Sequence, residues 1–297
     1  MEERTRAAGT RAEPDRDRDS HQRIPAPFSR AGFPVALEKM YIDALLDDGS
    51  VLLLYLGSLA GCGGRVGLVT ADLIAPDGWR QAGSARAWRV SADATSLRFG
   101  PAMLRGETVQ FATPGLAGSL HYRVRAEPVG CTQPVVAEGR RRLWWSVEVP
   151  DAEVTGVIAW PDGSSEVHGR GYRDRVWFDF PPGAFPIRRL VWGRAVAGPH
   201  AATWMEAATR TGVVRSAWLD GRELAPTGDV RPPEVGLGPS WQFLDADVVD
   251  LPGLGLGGLR PLARRLTGNP HETKWLAPAE IAGHAGCCVH EVVTWRC

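Results

Sequence analysis

The sequence predicts an all-β protein whose antiparallel strands close into barrels or pack as sandwiches, and three observations carry that expectation. Beyond the first thirty residues the chain alternates with a period of two rather than 3.6, in short runs rich in Val, Leu, Thr and Trp. Turn signals recur between the runs at Asp47-Asp48-Gly49, Pro76-Asp77-Gly78, Pro161-Asp162-Gly163 and Asp220-Gly221. Asp and Gly tolerate the positive φ that tight hairpins demand. No helical blocks separate the runs, which leaves sandwiches or barrels as the architecture.

The expected strands follow in order. Ala36 to Leu46 and Val51 to Gly57 flank the first turn, and Arg65 to Ile74 runs into the second. Thr108 to Thr113, Ser119 to Arg125 and Leu143 to Val149 alternate in the same way. Val154 to Trp160 and Glu166 to Tyr172 read as a hairpin about Pro161-Asp162-Gly163, and Arg188 to Val196 and Ala202 to Ala208 as one about Gly198-Pro199. Val213 to Leu219, Trp241 to Val249 and Cys287 to Trp295 complete the set.

Breaks in this pattern suggest the domain organisation. Residues 1–30 carry alternating Arg, Asp and Glu with almost no aliphatic content, the composition of a disordered tail. The proline-rich stretch from Phe180 to Pro186 lacks ladder donors, which marks a junction between domains at 31–180 and 181–297. Pro226 to Pro239 is a second break and Pro252 to Pro261 a third. Within the third, Gly253, Gly255 and Gly258 fit G-x-G-x-x-G, yet no βαβ unit surrounds them and the reading is a flexible loop.

Composition excludes several classes of function. Acidic and basic residues balance at 34 each in 297 residues, so charge gives no support for nucleic-acid binding. Only Lys39 and Lys274 are lysines. No apolar run is long enough to cross a bilayer or to lead the chain to export, so a soluble, cytoplasmic protein without an integral membrane segment is expected. Cys62, Cys131, Cys287, Cys288 and Cys297 form no C-x-x-C pair, and neighbours such as Cys287 and Cys288 point to opposite faces of a strand, so neither a disulfide framework nor a metal site is expected. Nucleophile-elbow, phosphate-loop and H-E-x-x-H signatures are missing, which points to a site without metal or cofactor. The sequence does not set the oligomeric state.

One stretch carries chemistry. Gly169-Arg170-Gly171-Tyr172-Arg173-Asp174-Arg175-Val176-Trp177, followed by Trp192-Gly193-Arg194, places an acid among aromatics and arginines, either a costly buried charge or a carboxyl with a shifted pKa. If the strand stays extended, Glu166, His168, Arg170, Tyr172 and Asp174 share one face, unless Gly169 or Gly171 hosts a bulge. Burial would raise the Asp174 pKa and let it deliver a proton or polarise a carbonyl, within a pocket walled by Trp177, Trp192 and Trp204. Arg194 and Glu206 lie on consecutive strands and are expected as a pair. Tyr41 is a candidate pocket residue, and of His290 and Glu291 only one can face a given interior.

These motifs, with Leu143-Trp144-Trp145 before them and His290-Glu291-Val292-Val293 with Trp295 at the end, resemble the two-domain lipocalin-like family of carotenoid 1,2-hydratase, the AttH-like proteins and the fungal decalin-forming Diels-Alderases. Asp174 is followed here by Arg175 and Val176 where family members often carry His and Asn. The resemblance implies two lipocalin-like antiparallel β-barrel or β-sandwich domains packed together with an apolar pocket or tunnel. It implies a hydrophobic small-molecule substrate; on the residues themselves, Asp174, Tyr172 and Arg194 are expected to be catalytic, with Trp177, Trp192, Trp204, Glu206, Tyr41 and His290 binding substrate. The expected activity is a cofactor-independent cyclase or pericyclase, or related isomerase, acting on a polyene or terpenoid in natural-product biosynthesis. Hydration of an alkene and simple binding of an apolar ligand are the alternatives.

Overall fold

The structure, a computed structural model, describes residues 35–295 except 62–63, 94, 131–133, 140, 179–186, 226–228, 251–260, 262–263 and 265–268. The expected tail, the proline-rich junction, most of the Gly-Leu loop with its three glycines, and Cys62, Cys131 and Cys297 lie outside the described residues. No helix among the described residues is long and apolar enough to cross a membrane.

The first sheet is built from β1 (Val35–Leu46), β2 (Val51–Gly61), β3 (Gly64–Ile74), β4 (Arg80–Ala87), β5 (Val90–Ala92), β6 (Ser96–Phe99), β7 (Ala102–Arg105), β8 (Thr108–Thr113), β9 (Leu116–Val124), β10 (Val129–Gly130), β11 (Val136–Glu138), β12 (Arg141–Trp160) and β13 (Gly163–Phe178). The second comprises β14 (Ile187–Ala197), β15 (His200–Thr209), β16 (Val213–Leu219), β17 (Arg222–Leu224), β18 (Val235–Leu237), β19 (Trp241–Asp247), β20 (Pro270–Ile281) and β21 (His284–Trp295). Every described pairing is antiparallel. The fold is thus all-β, as expected.

In the first sheet the order is β4-β3-β2-β1-β13-β12-β9-β8-β7-β6-β5. The sheet curls until β3 and β4 approach β8 and β9, where Gln81 Nε2 donates to the Gly115 carbonyl at 3.0 Å, giving a nearly closed barrel. The second sheet, β17-β16-β15-β14-β21-β20-β18, forms a curled half-barrel. Alternation then sorts the side chains. Met40, Ile42, Ala44, Leu52, Leu54 and Phe111 fill the first barrel, whereas Tyr41, Leu45, Leu53, Trp145 and Tyr172 point the other way and meet Trp192, Met205, Trp218, Phe243 and Val289 of the second sheet. The opposite face of the second sheet has its own core around Ala195, Trp204, Ala217 and Cys288. A buried Leu or Val contributes about 1.5–3 kcal/mol, so the seam between the sheets is a core in its own right.

The bulges fall elsewhere than the sequence suggested. β13 pairs with β1 without a register shift, and the irregularities lie on β12, between Val147 and Val149 and between Val149 and Ala152. Pro150 has no N–H to give the ladder, which puts the break on that strand. Gly169 and Gly171 instead permit close approach: a Cβ on Gly171 would strike the Tyr122 ring and Val154, and one on Gly169 the Leu45 backbone. Leu143–Val149 and Val154–Trp160, expected as separate strands, are therefore one long strand bent at the break.

Candidate functional site at the seam

Because β13 keeps its register, the even-numbered side chains of its polar stripe share a face. Glu166 and His168 are exposed, Arg170 donates to both carboxylate oxygens of buried Asp151 at 2.8 and 2.6 Å, and Tyr172 and Asp174 end the stripe inside the seam. Asp174 is 3% exposed. Its Oδ2 accepts from Trp145 Nε1 at 2.9 Å and from the Tyr172 hydroxyl at 2.9 Å, and Trp192 Nε1 donates to that hydroxyl at 3.3 Å. An indole N–H can only donate, which fixes the direction of the relay: Trp192 to Tyr172, Tyr172 to Asp174.

Burial pushes the Asp174 carboxyl up to about 6, against the downward pulls of the Trp145 bond, Lys39 and the Tyr172 bond. Since both hydrogen bonds end on Oδ2, the proton belongs on Oδ1, which takes no hydrogen bond among the described residues. Burial likewise raises the Tyr172 phenol, reinforced by the Asp174 charge, so it remains a donor.

A second acid, Asp43, two residues after Tyr41 on the same face of β1, accepts from the Tyr41 hydroxyl at 3.0 Å. It is bound by the Arg194 guanidinium through Nε at 3.1 Å and through Nη2. Arg194 comes from the second sheet, so this fully buried pair joins the two sheets. Burial works against the Arg194 charge, but the Asp43 carboxylate outweighs it and raises the guanidinium pKa. The guanidinium also lies 5.5 Å from the Tyr172 ring centroid.

The antiparallel register lines up the second sheet's face. Lys274, Glu291, Trp192, Met205 and Ser216 form one cross-strand row, and Leu276, Val289, Arg194, Thr203 and Trp218 the next. Lys274 is 0% exposed, bonded to Glu272 at 2.9 Å and to Glu291. Burial draws its pKa below the usual ammonium value while Glu272 pulls upward. Its Nζ lies 4.9 Å from the Tyr41 ring and 5.6 Å from Trp192, and Lys39 Nζ sits 4.9 Å from the Tyr55 ring. Tyr55 donates to Glu272 at 3.2 Å. Lys39, Arg194 and Lys274 thus face Asp43, Asp174, Glu272 and Glu291, and one proton on a carboxyl makes the set neutral. Asp174 is the carboxyl with no cation bonded to it.

Rings enclose this cluster. Tyr41 lies 5.2 Å from both Tyr55 and Trp192, Tyr172 is 5.3 Å from Trp192, and Trp145 meets Trp218 at 5.4 Å. A shallow surface depression beside them is lined by Leu53, Tyr55, Ala71 and Arg80 of the first sheet and Leu244 of the second. Two buried polar atoms on the same face, Arg194 Nη1 and Thr203 Oγ1, have no hydrogen-bond partner among the described residues. Leaving a buried polar group unsatisfied costs about 1–3 kcal/mol, so such pairs are uncommon.

The cluster thus joins Asp174, Tyr172, Arg194, Trp192 and Tyr41 and leaves the other candidates outside. Trp177, on the opposite face of β13, stacks on Trp144 at 5.7 Å with the Arg175 guanidinium 4.4 Å from its ring, and Arg175 binds Glu38 there. Trp204 packs over Gly193 in the far core, and that glycine is required because a Cβ would collide with the indole. Glu206 also faces away from the seam and pairs with Arg189 and Arg215 rather than with Arg194. His290 stacks on Trp275 at 5.0 Å, and its neighbour Glu291 is the one that reaches the seam. The sequence reading missed Asp43, Trp145, Tyr55, Thr203, Glu272 and Lys274 as seam residues. The signals were Tyr41-x-Asp43 and Glu272-x-Lys274 at strand spacing, the second hidden because Pro270 and Pro278 mask β20.

Among the described residues no group of three or more His, Cys, Asp or Glu side chains is arranged to hold a metal ion. No family model and no curated protein matches the sequence. Fifteen chains of solved structures do, among them the following three. A candidate AttH protein of Nitrosomonas europaea is 11% identical, covering 89% of this chain and 93% of its own, with a TM-score of 0.58. Kievitone hydratase of Nectria haematococca is 10% identical over 88% of this chain and 89% of its own, with a TM-score of 0.52. CghA is 14% identical, covering 92% and 94%, at a TM-score of 0.49. For the AttH protein and kievitone hydratase the likeness is one of fold, and it is the fold that the sequence resemblance implied.

Proposed function

We propose that this protein is a non-redox enzyme that binds a hydrophobic conjugated small molecule at the seam between its sheets and promotes its cyclisation or isomerisation, a cyclase or pericyclase of natural-product biosynthesis. The observation that carries the reading is the Asp174 carboxyl, buried, held at about 6, and fixed by two donors on one oxygen while the other is left open. Protonated, it donates through Oδ1 to a carbonyl or alkene and draws electron density from the conjugated system. Trp145 and Tyr172 keep the carboxyl in place, so no reorganisation is needed as charge develops. The rings of Tyr41, Tyr172 and Trp192 hold the chain in a reactive shape. Arg194, locked by Asp43, acts as a positioning residue for Tyr172. Trp177, Trp204, Glu206 and His290 have no contact with substrate in this reading.

The test is a panel of conjugated polyenes incubated with the purified chain and followed by loss of polyene absorbance. A product of unchanged mass is expected. A gain of one water would favour hydration, the reaction that the name of kievitone hydratase states for a protein of this fold; saturable binding without reaction would make the protein a carrier. Asp174→Asn is expected to slow turnover at least about 100-fold with the circular dichroism unchanged. Wild-type turnover in that variant would remove Asp174 from the mechanism. Because the acid form is the active one, the rate should fall as pH rises through about 6.

A further inference from the structure

The seam holds a donor pair that the proton chemistry of Asp174 does not use. Arg194 and Thr203 are direct cross-strand partners on β14 and β15, so their side chains leave the sheet side by side on the face turned toward the first sheet. Both residues are 1% exposed, and neither Arg194 Nη1 nor Thr203 Oγ1 has a partner among the described residues. The flanking cross-strand neighbours are apolar: Trp218 beside Thr203 and Val289 beside Arg194, with Trp145 packed edge-on to Trp218.

We propose that Arg194 Nη1 and Thr203 Oγ1 form a subsite for a neutral carbonyl oxygen, so that the substrate is an oxygenated polyene, a conjugated ketone or its enol, and not a hydrocarbon. A guanidinium nitrogen only donates and a hydroxyl can donate, so the missing partner is an acceptor. Asp43 already neutralises Arg194 through Nε and Nη2, so the subsite favours an uncharged acceptor over a second carboxylate. The Arg194 guanidinium lies over the Tyr172 ring at 5.5 Å, and the Tyr172 hydroxyl is 2.9 Å from Asp174. An oxygen held by the pair would therefore sit on the same side of the seam as the Tyr172 ring, whose hydroxyl bonds Asp174. The inference rests on the seam being the substrate site, and it names what that substrate must carry.

The test uses trans-β-ionone, a C13 conjugated ketone, and the C13 hydrocarbon of the same skeleton without the oxygen. Binding of each to the full chain is measured by calorimetry. The wild type should bind the ketone at least about tenfold tighter than the hydrocarbon, the discrimination expected when an unpaired buried donor finds its acceptor. Thr203→Val should lose most of that preference by weakening the ketone alone, and Thr203→Ser should keep it. Thr203→Val should also melt at the wild-type temperature or above, since it removes an unsatisfied hydroxyl without changing shape. Equal binding of both probes to the wild type, or an equal loss for both in Thr203→Val, overturns the oxygen subsite and leaves the pair a water site, with the seam still the apolar site. Failure of both probes to bind overturns the seam as substrate site as well.

Discussion

Two aspartates enter the seam from adjacent strands and find different partners, although burial raises the pKa of both. Asp43 is bonded by a guanidinium, whereas Asp174 is bonded only by the neutral donors Trp145 and Tyr172, and burial outweighs their pull and that of Lys39 on its proton. A carboxyl raised from 3.8 to about 6 binds its proton more tightly in the folded chain than in the unfolded one. Its contribution is therefore fully present below about pH 4 and is lost as pH rises through 6, roughly 3 kcal/mol in all. Asp174→Asn should accordingly be more stable than wild type at pH 8 and lose that advantage at pH 4, as thermal melts at the two values would reveal; the same offset at both would mean that Asp174 is not raised. At this scale the sequence was half legible. Tyr172 and Asp174 share a face because alternation fixes i and i+2, and Trp192 with Arg194 follows the same rule. Which of the two faces is the seam is set by what packs against β13 and β14, so Trp177, Trp204 and Glu206 were assigned to the wrong side.

Among the elements, the close approach of β14 and β15 carries the site. Gly193 gives Trp204 its space, and the strand then presents Trp192 and Arg194 to the seam from either side of the glycine. Gly193→Ala should cost about 1–3 kcal/mol by urea unfolding, and Trp204→Leu in the same chain should recover a large part of it. Additive losses would mean that the ring is not what the glycine accommodates. The hairpins at Asp47-Gly49, Asp77-Gly78 and Asp220-Gly221 were legible because Gly49, Gly78, Asp220 and Gly221 do adopt positive φ. The bulge was not: Gly169 and Gly171 suggested β13, but the missing donor of Pro150 put it on β12. The short strands β5, β6, β7, β10, β11, β17 and β18 escaped notice because two to four residues hold too little alternation to read.

For the molecule as a whole, the salt bridge between Asp43 and Arg194 pins one sheet to the other inside an apolar core. Arg194→Met should destabilise the chain by about 3–5 kcal/mol, since it leaves Asp43 buried and uncompensated, and adding Asp43→Leu should recover most of the loss. Denaturant melts of the two variants check this, and a double variant no better than the single one would show that the pair is more than a balanced charge. The all-β class was legible because alternation and turn chemistry are local, and the family resemblance supplied the barrels. The seam was not, since its members come from β1, β2, β12, β13, β14, β15, β20 and β21 and no sequence spacing connects them. The central claim, that this seam holds a carboxyl poised to exchange a proton, is tested most directly by infrared difference spectra of wild type against Asp174→Asn between pH 4 and 8. A protonated-carboxyl band present only in the wild type and vanishing with a midpoint near pH 6 is the expected result. A midpoint near the ordinary carboxylate value of 3.8, with no band left at pH 5, would contradict it.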